Sequence, residues 1–130
     1  MLTMIMGLPN AGKTTYSKQF NNVVHQDEER RTDKVCEKVS QMSECVVEGI
    51  FASSVQRRRV LDAYQGDYTK CIFLDISLDT SIKREDRGRK PFILENCAKH
   101  FSRPTYDEGW DEIIIIEENN VESISHKIKT

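Results

Sequence analysis

Gly7-Leu8-Pro9-Asn10-Ala11-Gly12-Lys13-Thr14 has the spacing G-x-x-x-x-G-K-[ST], that of a phosphate-binding P-loop. Its chemistry is that of holding polyphosphate. Backbone N–H groups of such a loop, and of the helix it opens, point inward and carry partial positive charge. Gly7, Pro9, Asn10, Ala11, Gly12, Lys13, Thr14 and Thr15 are therefore candidates for binding ATP. Lys13 would reach the terminal phosphates, and the Thr14 hydroxyl would ligate Mg²⁺. The alternative is a glycine-rich turn that merely contains Lys-Thr. The flanks argue against it: Leu2 to Met6 reads as a buried strand, and Lys13 to Phe20 as a short helix with Tyr16 and Phe20 on one face.

Other residues could supply the rest of a phosphoryl transfer. Asp27 ends a short second strand and is the candidate general base, since a carboxylate can take the proton of an attacking hydroxyl. On spacing alone it could equally cap the helix that follows. Arg30 lies one turn further on and could pair with a substrate phosphate, or be a solvated charge beside Glu28, Glu29 and Arg31. Glu48 ends a third strand through Val46-Val47 and could hold Mg²⁺ through water, position a substrate, or be only an acid at a helix N-terminus. Lys83, Arg84, Arg87, Arg89 and Lys90 cluster around Gly88 and Pro91. They suit a small lid over ATP, with Arg84 and Arg87 sharing a helical face and stabilising the transition state. Arg57-Arg58-Arg59 reads as a solvated face, and Trp110 as a packing residue. His25, His100 and His126 have no mutual spacing for a metal site.

These groups need elements to position them. A chain of 130 residues is one domain, residues 1–130. A net charge of −2 is unlike a strongly basic nucleic-acid binder, so any polynucleotide contact must be a local patch. No apolar stretch reaches the ~20 residues of a membrane span, so no membrane partner is expected. The chain opens on a strand rather than a removable leader. Cys36, Cys45, Cys71 and Cys97 are scattered, which favours a reduced, cytoplasmic setting with Cys45 and Cys71 as core residues. Val35, Val39 and Met42 mark one helix, and Val55, Val60, Leu61 and Tyr64 another. Lys70 to Ile76 is a fourth strand, Phe92 to Phe101 a helix and Glu112 to Glu117 a fifth strand. Val121, Ile124 and Ile128 suit a final amphipathic helix. The alternation predicts an α/β fold: a P-loop NTPase three-layer α/β/α sandwich with a five-stranded parallel sheet and a small Arg-rich lid.

The chain resembles the polynucleotide 5′-hydroxyl kinase group of small P-loop kinases. The likeness runs from Gly7–Thr15 through Asp27-Glu28-Glu29-Arg30, Val46-Val47-Glu48-Gly49 and Lys83-Arg84-Glu85-Asp86-Arg87-Gly88. It ends on Pro104-Thr105-Tyr106-Asp107-Glu108-Gly109-Trp110-Asp111-Glu112-Ile113, like the stretch before that group's last strand. The resemblance implies that Asp27 is the general base, that Arg30 binds the acceptor-side phosphate, and that Arg87, then Arg84, contacts the transferred phosphate. Where the family often has Asp-x-Asn after the third strand, this chain has Glu48-Gly49-Ile50. The expectation is an enzyme, an ATP- and Mg²⁺-dependent kinase acting on a nucleic-acid 5′-OH end. Alternatives are the same chemistry on a small hydroxyl acceptor (nucleoside, nucleotide or sugar) or on a hydroxymethylated base in DNA, and a non-catalytic ATP-binding module. The oligomeric state is left open.

Overall fold

A computed structural model describes residues 1–29 and 31–118, together with the backbone of 122–126. The described chain is β1 (Leu2–Met6), α1 (Lys13–Ser17), β2 (Val23–His25), α2 (Gln26–Glu29), α3 (Thr32–Val39), β3 (Cys45–Gly49), α4 (Ser54–Ala63), β4 (Thr69–Asp75), α5 (Leu78–Lys83), α6 (Pro91–Lys99), a 3₁₀ turn (Tyr106–Glu108), β5 (Glu112–Glu117) and β6 (Glu122–His126).

The strands form one sheet in the order β2-β3-β1-β4-β5-β6. The first five are parallel, as expected. β1 lies inside the sheet, and every residue from Leu2 to Met6 is buried, which accounts for its unbroken apolar run. Alternate side chains feed two cores. Leu2, Met4 and Met6 pack with Val35 and Val39 of α3 and Val60 of α4. Ile5 packs with Ile72 and Leu74 on the other side, where Tyr16 and Phe20 close the layer. Cys45, Cys71 and Trp110 are core residues, as their surroundings in sequence suggested.

Three expectations are corrected. The last segment is not a helix: residues 122–126 form β6, antiparallel to β5 with Ile124 opposite Ile114. Val121 and Ile128 lie outside the described residues. A sixth strand pairs the edge that Ile113 to Ile116 would otherwise offer, and this outweighs a three-residue helical spacing. Second, Arg57 is not on a solvated face. It is fully buried, whereas Val55 is 67% exposed. The inward stripe of α4 runs through positions 57, 60 and 64, so helical geometry takes Arg57 in and leaves Val55 out. Third, Arg84 and Arg87 share no helical face. α5 ends at Lys83, and residues 84–90 form an irregular connection into α6. Pro91, read as a break, is at the start of α6, where its missing N–H costs nothing.

Candidate functional site

The C-terminal ends of β1, β2 and β3 open onto a cleft of about 300 Å³. Its wall holds Pro9, Asn10, Gly12, Lys13, Thr14 and Thr15 from the β1–α1 loop and α1, with Asp27 from α2 and Glu48 from β3. Arg84, Arg87 and Arg89 line it from the connection between α5 and α6. These are residues that the sequence marked from four separate segments. Ligands of open α/β sheets bind at such a crevice, where connections leave the central strands in opposite directions.

The loop is shaped by close approach. Gly7 sits at the end of β1, and a Cβ there would lie 2.7 Å from the Leu74 carbonyl oxygen and 3.1 Å from the Ala11 Cβ. Gly7 and Ala11 therefore build the loop rather than line the cleft; Ala11 belongs to the second core. Gly7→Ala should destabilise the fold by ~1–3 kcal/mol through overpacking against backbone. Urea unfolding checks this; an unchanged midpoint would mean that the two strand ends separate without cost. Gly12 takes φ 92°, a left-handed conformation that a side chain would strain.

Lys13 is 9% exposed, and its Nζ donates to the Leu8 carbonyl at 2.7 Å. Burial pulls its pKa down to about 8, against the upward pull of Glu48 and Asp27. Thr14 Oγ1 donates to Glu48 Oε1 at 3.4 Å. Glu48 is 6% exposed and lies inside β3 rather than at a helix N-terminus, so the reading of it as a helix-end acid falls. Asp27 is exposed on the cleft wall in the first turn of α2. That helix begins at Gln26, so Asp27 is not its cap. Arg30 lies outside the described residues.

His25 was missed as part of the site. Its Nδ1 lies 2.9 Å from Glu48 Oε1, the oxygen that Thr14 also addresses. The signal lay in strand register rather than metal spacing: parallel pairing sets His25 opposite Glu48. Glu85 was missed too. Its carboxylate accepts Arg89 Nε at 3.0 Å, Asn10 Nδ2 at 2.9 Å, and the backbone N–H groups of Arg87 and Arg89 at 3.0 Å each. Arg89, then Asn10, hold its pKa down to about 2. This one acid folds the turn around Gly88 and ties it to the β1–α1 loop, while Arg84 Nη1 donates to the Asn10 carbonyl at 3.3 Å. The Arg87 guanidinium is exposed and forms no ion pair among the described residues.

The oxygen pair of Thr14 and Glu48 fits Mg²⁺, which takes one or two protein oxygens and completes its shell with water and phosphate. Among the described residues no group of three or more His, Cys, Asp or Glu is placed to hold a metal alone. No helix among them is long and apolar enough to cross a membrane.

No family model and no curated protein matches the chain. Among solved structures, the crystal structure of APE1195 is similar, with a TM-score of 0.53 and 14% identity over 82% of this chain and 80% of that one. At that identity the likeness shows the fold alone.

Proposed function

We propose that the chain is an ATP-dependent kinase that transfers the γ-phosphate to a hydroxyl of a nucleic acid, at a 5′-OH end. The observation that carries this reading is the convergence of Lys13, Thr14, Asp27, Glu48, Arg84 and Arg87 on one cleft at the strand ends. The strand–loop–helix setting of Gly7 to Thr14 supports a P-loop fold for the whole, with residues 84–90 as its small lid.

In this reading the loop amides and Lys13 hold the β- and γ-phosphates. Lys13 leaves the Leu8 carbonyl to do so. Mg²⁺, when bound by the Thr14 hydroxyl and through water by Glu48, would offset phosphate charge. His25 orients the Glu48 carboxylate. Asp27 accepts the proton of the acceptor hydroxyl as its oxygen bonds to the γ-phosphorus, and the bond from that phosphorus to the bridging oxygen breaks to release ADP. Arg87 and Arg84 stabilise charge on the transferred group. Arg30 would hold the acceptor-side phosphate. The scattered free cysteines support a cytoplasmic setting for this reaction.

Transfer of labelled phosphate from ATP to oligonucleotides bearing 5′-OH ends tests the reading. Asp27→Asn should lower that transfer by about 10²–10⁴-fold with the fold intact. Undiminished transfer would remove Asp27 from the base role. The burial of Arg57 favours a second reading, because α4 then offers a polynucleotide fewer cations than its Arg57-Arg58-Arg59 run suggested. The acceptor would then be a free nucleoside, nucleotide or sugar. Phosphorylation of free nucleosides but not of oligonucleotides would decide for it.

A further inference from the structure

Beside the phosphate cleft lies a second groove of about 320 Å³, lined by Gln26, Gln56, Asn96, His100, Ile50 and Cys97 among others. Ile50 lines both spaces, so the groove adjoins the cleft across this residue. Gln26 immediately precedes Asp27, so the groove begins where the acceptor hydroxyl is placed. Resting on the kinase reading, we infer that this groove seats the base of the acceptor's terminal nucleotide.

The chemistry of the lining carries the assignment. Among the described residues it contains no charged side chain, so it is not built for a further phosphate. It offers three carboxamides and an imidazole between apolar surfaces. Carboxamides present a donor and an acceptor side by side, the pattern that reads the edge of a base. The apolar walls suit the faces of a flat ring. The volume is at the small end of ligand pockets, about 300–1,000 Å³.

The groups are available. The Gln26 Oε1 accepts the Phe51 N–H at 3.3 Å, which fixes that amide and leaves its NH₂ as a donor. Gln56 Nε2 donates to Thr32 Oγ1 at 3.4 Å, which leaves its carbonyl. Asn96 and His100 make no side-chain hydrogen bond among the described residues. The backbone beneath them is held firmly. Phe51 adopts φ 42°, unusual for a residue with a side chain, and its carbonyl accepts Arg57 Nη1 at 2.7 Å. Such a conformation persists only where its surroundings over-determine it.

The test uses the full chain with 5′-OH oligonucleotides whose terminal residue carries a base or is abasic. Base-bearing ends should be transferred with a kcat/KM about tenfold or more above abasic ends. Asn96→Ala and Gln56→Ala should collapse that ratio to within about twofold, the scale on which a lost carboxamide contact no longer discriminates. Asn96 is exposed, so its variant keeps the fold. A parallel measurement reads seating without chemistry: 2-aminopurine at the 5′-terminal position should change fluorescence on binding, 2-aminopurine at the third position should not, and both variants should weaken the terminal signal. A signal from the free 2-aminopurine nucleoside alone would make the occupant's source a small acceptor rather than a polynucleotide end. Equal transfer to base-bearing and abasic ends would overturn the groove and leave the kinase reading standing. A variant-sensitive terminal signal with no phosphate transfer would do the reverse, and no signal with no transfer would remove both.

Discussion

Lys13→Met should lower phosphate transfer by about 10²–10³-fold, the usual loss when one preorganised group that meets transition-state charge is removed. It should do so without weakening the unliganded fold. Lys13 is almost wholly buried, and burial draws its pKa from 10.5 to about 8. At neutral pH the ammonium therefore costs the fold about 3 kcal/mol, since each tenfold loss of proton affinity on folding is worth ~1.4 kcal/mol. The methionine also forfeits the hydrogen bond to the Leu8 carbonyl, a loss of about 1–3 kcal/mol if that oxygen stays dry. The first effect is equal or larger, so the variant should unfold in urea at or slightly above the wild-type midpoint at pH 7.

The sign of the pH dependence follows. Between pH 8 and 10.5 the unfolded chain keeps the Lys13 proton and the folded chain sheds it, so this group makes stability rise with pH across that window. Cys45 works against it, because burial raises its pKa to about 11 and the unfolded chain loses that proton first. The difference between wild type and Lys13→Met isolates the lysine. Wild type should gain on the variant by about 3 kcal/mol from pH 7 to pH 10.5. No gain would show that Lys13 is hydrated in the folded protein, and would weaken its placement at the base of the cleft.

The largest stability loss is expected from Arg57→Ala, about 3–5 kcal/mol by urea unfolding. Arg57 meets Glu108 in a two-pronged pair, Nε to Oε1 at 2.7 Å and Nη2 to Oε2 at 2.8 Å, with both side chains buried. Its remaining N–H groups reach the carbonyls of Phe51, Ser102 and Arg103 and the Ser102 hydroxyl. Burial pushes the Glu108 carboxyl up; Arg57, then the Trp110 N–H, outweigh it and hold its pKa below the ordinary value. Removing the guanidinium leaves a buried carboxylate and several carbonyls without partners. Arg57→Met with Glu108→Gln removes both charges together and should recover part of the loss. A cost below about 1 kcal/mol for Arg57→Ala would place the pair among solvated ion pairs. Because Arg57 also braces Phe51 beside the cleft, the single variant should impair the site as well as the fold.

Much of the architecture was legible because it rests on local periodicity. Unbroken apolar runs marked β1 and β4 as buried strands and β5 as a fifth strand, and the Gly7–Thr14 spacing placed a tight loop and a helix after the first of them. Arg57 was misread because its residue type suggested solvent, although its spacing from Val60 and Tyr64 already put it inside. A buried cation depends on a partner, and Glu108 lies 51 residues away. The same limit hid Glu85 as the centre of the 84–90 turn, since Asn10 is 75 residues from it.

Sequence alone determined that Gly7 to Thr14 has the spacing of a phosphate-binding loop between a strand and a helix, and that Asp27 and Glu48 belong near the C-terminal ends of the second and third strands. Such features are set by neighbours within a turn or a strand. Only the tertiary structure decided that Lys13 is buried against Leu8, that His25 and Thr14 address one oxygen of Glu48, and that a neutral, amide-lined groove adjoins the cleft. Strand register and burial set these relations, and both arise from packing between segments far apart in the chain.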